Sequence, residues 1–175
     1  MKKILSLSGV VFTAALASLL FFSGCTEDDP CADVICANGG TAVTVDSDCV
    51  CDCVAGYEGT LCETESRTKV KGIWTVNDNC SLSGTSSYAV TVGNGATVDG
   101  ITVDNFWEFF VNDVTATING VVVTIPRQEP DADSFYVEGT GTYDATSNTI
   151  SFAYDISDES STPIVVDQCT STWNK

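Results

Sequence analysis

The chain has 175 residues, with 24 acidic against 7 basic side chains, a formal net charge of −17 and no histidine. So negative a surface repels phosphate backbones and anionic headgroups, which excludes nucleic acid as a partner. The missing histidine removes every His-containing triad and the commonest transition-metal ligand.

Residues 1–24 read as a leader. Met1, Lys2 and Lys3 give a basic start, Ile4 to Phe22 is almost wholly apolar or small, and Ser23-Gly24 precede Cys25. These are the parts of a secretory signal. The apolar stretch is long enough to span a bilayer. Its C-terminal flank, however, is the acidic Glu27-Asp28-Asp29 rather than the basic flank of a cytoplasmic stop. Phe22-Ser23-Gly24-Cys25 resembles a bacterial lipobox, with Phe22 where the family usually has Leu. The resemblance implies cleavage before Cys25 and diacylglycerol on its thiol. Cys25 is therefore the expected lipidation site, and the membrane is an expected partner through that anchor. Several acyl chains on one residue hold stably, since each buried methylene contributes about 0.8 kcal/mol. The acidic tether, 25–30, resembles the surface-export signal of Bacteroidota lipoproteins. That likeness implies an outer membrane lipoprotein displayed at the cell surface.

Nine cysteines divide without remainder. Cys25 closes the leader, six more crowd between Cys31 and Cys62, and Cys80 and Cys169 stand alone toward the ends of a β-rich stretch. A lipid anchor, three local bridges and a Cys80–Cys169 bridge use them all, which points to an oxidising compartment. Committed cysteines leave no thiol nucleophile and no cysteine zinc site. Gly93-Asn94-Gly95 lies among turn residues and is not a phosphate loop. No cofactor and no catalytic centre are expected.

Residues 31–62 read C-x4-C-x12-C-x-C-x-C-x8-C, with Asn38-Gly39-Gly40-Thr41 after the second cysteine and Cys53-Val54-Ala55-Gly56-Tyr57-Glu58-Gly59-Thr60-Leu61-Cys62 at the close. A segment this short needs cross-links in place of a core, each contributing roughly 2–4 kcal/mol. Six cysteines allow fifteen connectivities, among which spacing alone does not choose. The two motifs resemble an EGF-like module. The family's pairing would join Cys31 to Cys49, Cys36 to Cys51 and Cys53 to Cys62. The third cysteine departs from the family, which places it where this chain has Ala42. Calcium is not expected on the module, because Pro30 stands where calcium-binding relatives carry Glu or Gln. Its expected role is a spacer.

Residues 63–68 are polar and read as a linker. The remainder, 69–175, alternates β-branched and aromatic residues with Thr, Ser, Asp and Asn. Expected strands are Val70–Asn77, Ser86–Val92, Gly100–Asn105, Val114–Ile118, Val121–Ile125, Phe135–Thr142, Thr149–Ile156 and Val165–Trp173. Asn119-Gly120 is a two-residue hairpin signal, Thr146-Ser147-Asn148 marks another turn, and Pro126 and Pro130 bound a loop. The fold class is mainly β: about eight antiparallel strands as a barrel or sandwich behind a small disulfide-rich module. Gly72-Ile73-Trp74 and Cys169-x-x-x-Trp173 resemble the lipocalin-like domains of small Bacteroidota lipoproteins.

Asn105-Phe106-Trp107-Glu108-Phe109-Phe110-Val111 breaks the alternation. As one helical turn it pairs Phe106 with Phe109, and Trp107 with Phe110 and Val111. It is either a plug over the barrel or an aromatic platform for sugar or lipid. Glu129-Pro130-Asp131-Ala132-Asp133 clusters acids but lacks the glycine and terminal glutamate of a calcium loop. The expected function is a non-catalytic surface lipoprotein whose β domain is structural or binds a protein, a glycan or a small apolar ligand. Trp74, Tyr88, Phe135, Tyr154 and Trp173 are large enough to fill a barrel of this size. The alternative is a carbohydrate-active hydrolase using paired carboxylates, drawn from Glu108, Glu129, Asp131 and Asp133.

Overall fold

The computed structural model describes residues 29–175; the leader, Cys25 and most of the acidic tether lie outside the described residues. Strands β1 (Thr41–Val45) and β2 (Asp48–Asp52) form a hairpin, and β3 (Tyr57–Glu58) pairs with β4 (Thr64–Glu65). Disulfides join Cys31 to Cys49, Cys36 to Cys51 and Cys53 to Cys62. Among the described apolar residues before Val70, Cys62 alone is buried. Covalent bonds therefore hold this segment where a larger domain would use a core. Residues 63–68 carry β4 and the start of a 3-10 turn, Ser66–Lys69, with Ser66 buried.

The barrel is built from eight further strands: β5 (Gly72–Cys80), β6 (Gly84–Asn94), β7 (Gly100–Asp104), β8 (Val114–Asn119), β9 (Val122–Gln128), β10 (Phe135–Asp144), β11 (Thr149–Asp158) and β12 (Val165–Asn174). Each pairs antiparallel with its neighbour in sequence, and β12 returns to β5, so the sheet closes on itself. The seam runs from Cys169 opposite Cys80 to Asn174 opposite Thr75, and the Cys80–Cys169 disulfide clamps one end of it. Closure leaves the barrel without a free edge.

Period-two alternation sorts the side chains. On β5, Trp74, Val76, Asp78 and Cys80 are buried, while Thr75, Asn77 and Asn79 face out. Trp74, Trp173 and Phe106 are among the largest fully buried side chains. Phe106 sits 5.0 Å from Tyr154 and 6.1 Å from Trp173, and Phe152 lies 4.7 Å from Trp173 between ring centroids. Of the five residues expected to fill the interior, Trp74, Tyr88, Tyr154 and Trp173 do so; Phe135 sits half-buried at one mouth. An apolar inside and a polar outside reverse the pattern of a lipid-facing barrel.

The large interior rings need small neighbours. Gly139 pairs with Tyr154 and Gly141 with Phe152. A Cβ on Gly139 would lie 2.4 Å from the Tyr154 Cβ. Pro126, expected in a loop, lies instead within β9. The β9–β10 register there spends three steps, from Ile125 to Gln128, against two, from Gly139 to Val137. Such a bulge accommodates a residue that has no N–H to donate.

Up-and-down topology places alternate connections at opposite ends. The chain enters at the end that holds the 95–99 and 120–121 turns. There Arg67 Nη1 donates to the Thr97 carbonyl at 2.9 Å and Lys69 Nζ to the Gly120 carbonyl at 2.8 Å. Lys175 Nζ reaches the Lys69 carbonyl at 3.2 Å, so the last residue is at this end too. The connections 81–83, 105–113, 129–134 and 159–164 gather at the far end.

Candidate binding rim

The far end is organised by carboxylates that accept backbone N–H groups. Asp167 Oδ1 accepts from the Leu82 N–H at 2.7 Å and the Ser81 hydroxyl at 3.0 Å, and Oδ2 from the Ser83 N–H at 3.0 Å. Burial would raise the Asp167 pKa, but bonds from Ser83, Leu82 and Ser81 outweigh it and hold the carboxyl below its usual value. Asp131 accepts from the Val111 and Asn112 N–H groups, each at 2.8 Å, and so ties the proline loop to the aromatic turn. Its pKa is lowered likewise, with these bonds outweighing desolvation. Asp158 accepts from the Ser160 N–H at 2.9 Å.

The aromatic turn is not one helical turn. A 3-10 segment covers Phe106–Glu108, and Asn105, Trp107 and Glu108 adopt left-handed φ of 61°, 59° and 52°. The left-handed residues break the helical period: Phe106 is buried and Phe109 exposed, so that expected pair parts, while Trp107 still lies 6.3 Å from Phe110 between ring centroids. Phe106 and Phe110 turn inward together and are buried. Trp107, half-buried, and Phe109, exposed, pack against each other 5.4 Å apart. Left-handed backbone at bulky residues is costly and persists only where its surroundings fix it. Here Asn105 Nδ2 donates to the Ala89 carbonyl at 2.8 Å, and the Trp107 N–H donates to the Tyr88 hydroxyl at 3.0 Å.

Beneath Trp107 lies a buried polar cluster not foreseen from the sequence. Asp78 is 3% exposed, and its Oδ2 accepts from the Tyr88 and Tyr154 hydroxyls, both at 2.7 Å. Its Oδ1 has no partner among the described residues. Burial, followed by the Asp78 charge, pushes the Tyr88 hydroxyl far above its ordinary range; burial, followed by the charges of Tyr88 and Asp78, does the same for Tyr154. The signal was present in the pattern: Asp78 occupies the inward parity of Trp74 and Val76.

Large apolar side chains stand exposed at the far end among its acids. Leu82 is 64% exposed, Phe109 44%, Val111 87% and Ile164 55%. Phe109 packs on Phe135 at 4.9 Å. A cleft of about 330 Å³ opens between Leu82, Trp107, Phe135 and Val165, and one of about 280 Å³ between Ser83, Ser86, Trp107 and Phe109. Trp107 is common to both. A wider groove of about 630 Å³ lies on the outer wall where Gly139 and Ala153 leave the sheet bare. It is flanked by Arg127 and Glu138, which pair with each other.

The acids expected for carboxylate chemistry are dispersed in role. Asp131 holds the aromatic turn, Glu129 accepts the Ser134 N–H at 2.6 Å and Asp133 the Phe135 N–H at 3.1 Å. Only Glu108 has no such task; among the described residues it has no ion-pair partner. Asp167 lies beside Cys80 and Cys169, but both sulfurs are in the disulfide and both carboxylate oxygens are taken by donors.

No family model matches the chain, and no curated protein matches it. Among solved structures it is similar to a redesigned β-barrel, at 15% identity and a TM-score of 0.46, covering 63% of this chain and 94% of that one. It is likewise similar to the structure of EF1p2_mFAP2b bound to DFHBI, at 14% identity and a TM-score of 0.46, covering 63% and 98%. The barrel assignment here rests on the strand pairing itself.

Proposed function

We propose that the chain is a non-catalytic, lipid-anchored cell-surface protein. In this reading the EGF-like segment is a spacer and the lipocalin-like barrel binds its partner on the far rim, not in its interior. The observation that carries the proposal is the placement of Trp107 and Phe109 at the end of the barrel opposite the entering chain. An anchor on Cys25 would hold the near end toward the membrane and leave the rim facing outward. Filling of the interior by Trp74, Trp173, Phe106 and Tyr154 supports an external site over a hollow one. The EGF-like motifs agree with the Cys31–Cys49, Cys36–Cys51 and Cys53–Cys62 bridges. The hydrolase reading has less support, because three of its four acids already accept backbone N–H groups.

Metabolic labelling with a palmitate analogue should tag the native chain but not Cys25→Ala. Protease added to intact cells should cut the labelled chain. Equal labelling of the variant would remove the anchor, and full protection from protease would remove surface display.

A further inference from the structure

We propose that the rim recognises a cationic, apolar-bearing peptide segment of a partner, seating a Lys or Arg side chain against the face of Trp107. This rests on the reading of the rim as the binding surface and adds the chemistry of what it binds. Charge is the first support. Glu108, Asp113, Glu129, Asp131, Asp133 and Glu159 all lie in the far connections. Of the basic residues in the described chain, Arg67, Lys69, Lys71 and Lys175 belong to the near end. Arg127 alone approaches the far end, and there it is occupied by Glu138 and Glu159 and stacked 4.4 Å from the Tyr136 ring centroid. The rim thus presents negative potential with no free cation of its own among the described residues, which steers a positive partner toward it.

Aromatic chemistry is the second support. A cation over an indole face is attracted by the ring quadrupole, and tryptophan is the best of the rings for this. Trp107 stands between two clefts, with Phe109 and Phe135 beside it to cover aliphatic side chains. Glu108, next in the chain, supplies a carboxylate without an ion-pair partner among the described residues. Rigidity is the third support. The left-handed turn is fixed by Ala89, Tyr88 and Asp131, so little freedom remains to be lost on binding. A second copy of this chain would bring the same acids and be repelled. A neutral sugar would use the rings and leave the acids without a role.

The test uses the full chain purified in detergent and three probes: a capped peptide of alternating lysine and leucine, its glutamate-for-lysine counterpart, and maltohexaose. Titration calorimetry at low and high salt reads the affinities. The lysine peptide is expected to bind, more weakly as salt rises. Trp107→Ala and Glu108→Gln should each weaken it roughly tenfold. Val45→Ser, in the cysteine-rich segment, should leave it unchanged. Glu108→Gln alters an exposed side chain and guards against a folding artefact. Equal binding of both peptides, or indifference to salt and to Glu108→Gln, would overturn cation recognition while leaving the rim in place. Binding of maltohexaose alone, lost in Trp107→Ala, would do the same. Binding that survives both Trp107→Ala and Phe109→Ser would overturn the rim itself, and so would the absence of binding by every probe.

Discussion

The backbone N–H of Trp107 donates to the hydroxyl of Tyr88 at 3.0 Å, so a half-buried, left-handed residue hangs from a buried one. Tyr88 in turn donates to Asp78. Tyr88→Phe removes both bonds and leaves the part-buried Trp107 N–H without its partner, at a cost of about 1–3 kcal/mol. Tyr154→Phe removes only a donor to Asp78. Both variants should unfold at lower denaturant. Only Tyr88→Phe should shift the amide resonance of Trp107. Equal movement of that resonance in both variants would show that the turn is not held through Tyr88.

The Cys80–Cys169 bridge spans 89 residues. Loop-closure entropy assigns such a cross-link roughly 4–5 kcal/mol, acting on the unfolded chain. The double variant Cys80→Ala with Cys169→Ala keeps the β5–β12 ladder and should show a much lower unfolding midpoint in urea. An unchanged midpoint would mean that the ladder alone sets the stability of the seam.

Gly139 and Gly84 test two different reasons for glycine. At Gly139 a methyl would meet the Tyr154 Cβ at 2.4 Å and the Ala153 carbonyl oxygen at 2.6 Å, and backbone cannot step aside. At Gly84 a methyl meets nothing within 4 Å, but φ is +82°. Gly139→Ala should cost about 1–3 kcal/mol through overpacking. Gly84→Ala should cost about 1 kcal/mol through backbone conformation. Denaturant titration of the pair gives the order, and a larger loss at Gly84 would contradict the packing described for β10 and β11.

Asp167 gives the fold an acid limit. Its folded pKa lies below its ordinary value, so its contribution is fully present above the unfolded value of about 3.9 and is lost as pH falls through the folded one. Asp167→Asn should be less stable than the native chain near pH 7, by about 1–3 kcal/mol. That gap should narrow below about pH 4. A gap that stays constant down to about pH 2 would show that the charge of Asp167 is not what the 81–83 turn uses.

The eight barrel strands were legible because alternation and turn residues are local signals. Asn119-Gly120 announced one hairpin, whose two loop residues fall one place later at Gly120-Val121, and Trp74, Val76 and Cys80 marked an inward face along β5. Barrel against sandwich was not legible, because closure depends on the Cys169 to Asn174 register against β5, 89 residues away at the bridge. Asp78 was overlooked because an acid within a strand reads as a solvent-facing residue until its parity is counted. The aromatic turn was misread in period, since nothing in Trp107-Glu108 announces two consecutive left-handed residues. What fixes them comes from β6 and from the 129–134 loop.

The seam between β5 and β12 also sets a schedule for manufacture. A chain emerges from its N-terminal side, so β5 exists long before its last partner does. The bridges from Cys31 to Cys62 find partners within 18, 15 and 9 residues and can be sealed early. Cys80 must wait as a thiol among them until Cys169 arrives. Premature oxidation would therefore mispair Cys80 with the cysteine-rich segment, and a thiol-disulfide isomerase would be needed to release it. A chain cut short before β12 keeps that thiol and gains two bare strand borders, on β5 and β11, each a template for clumping with its copies.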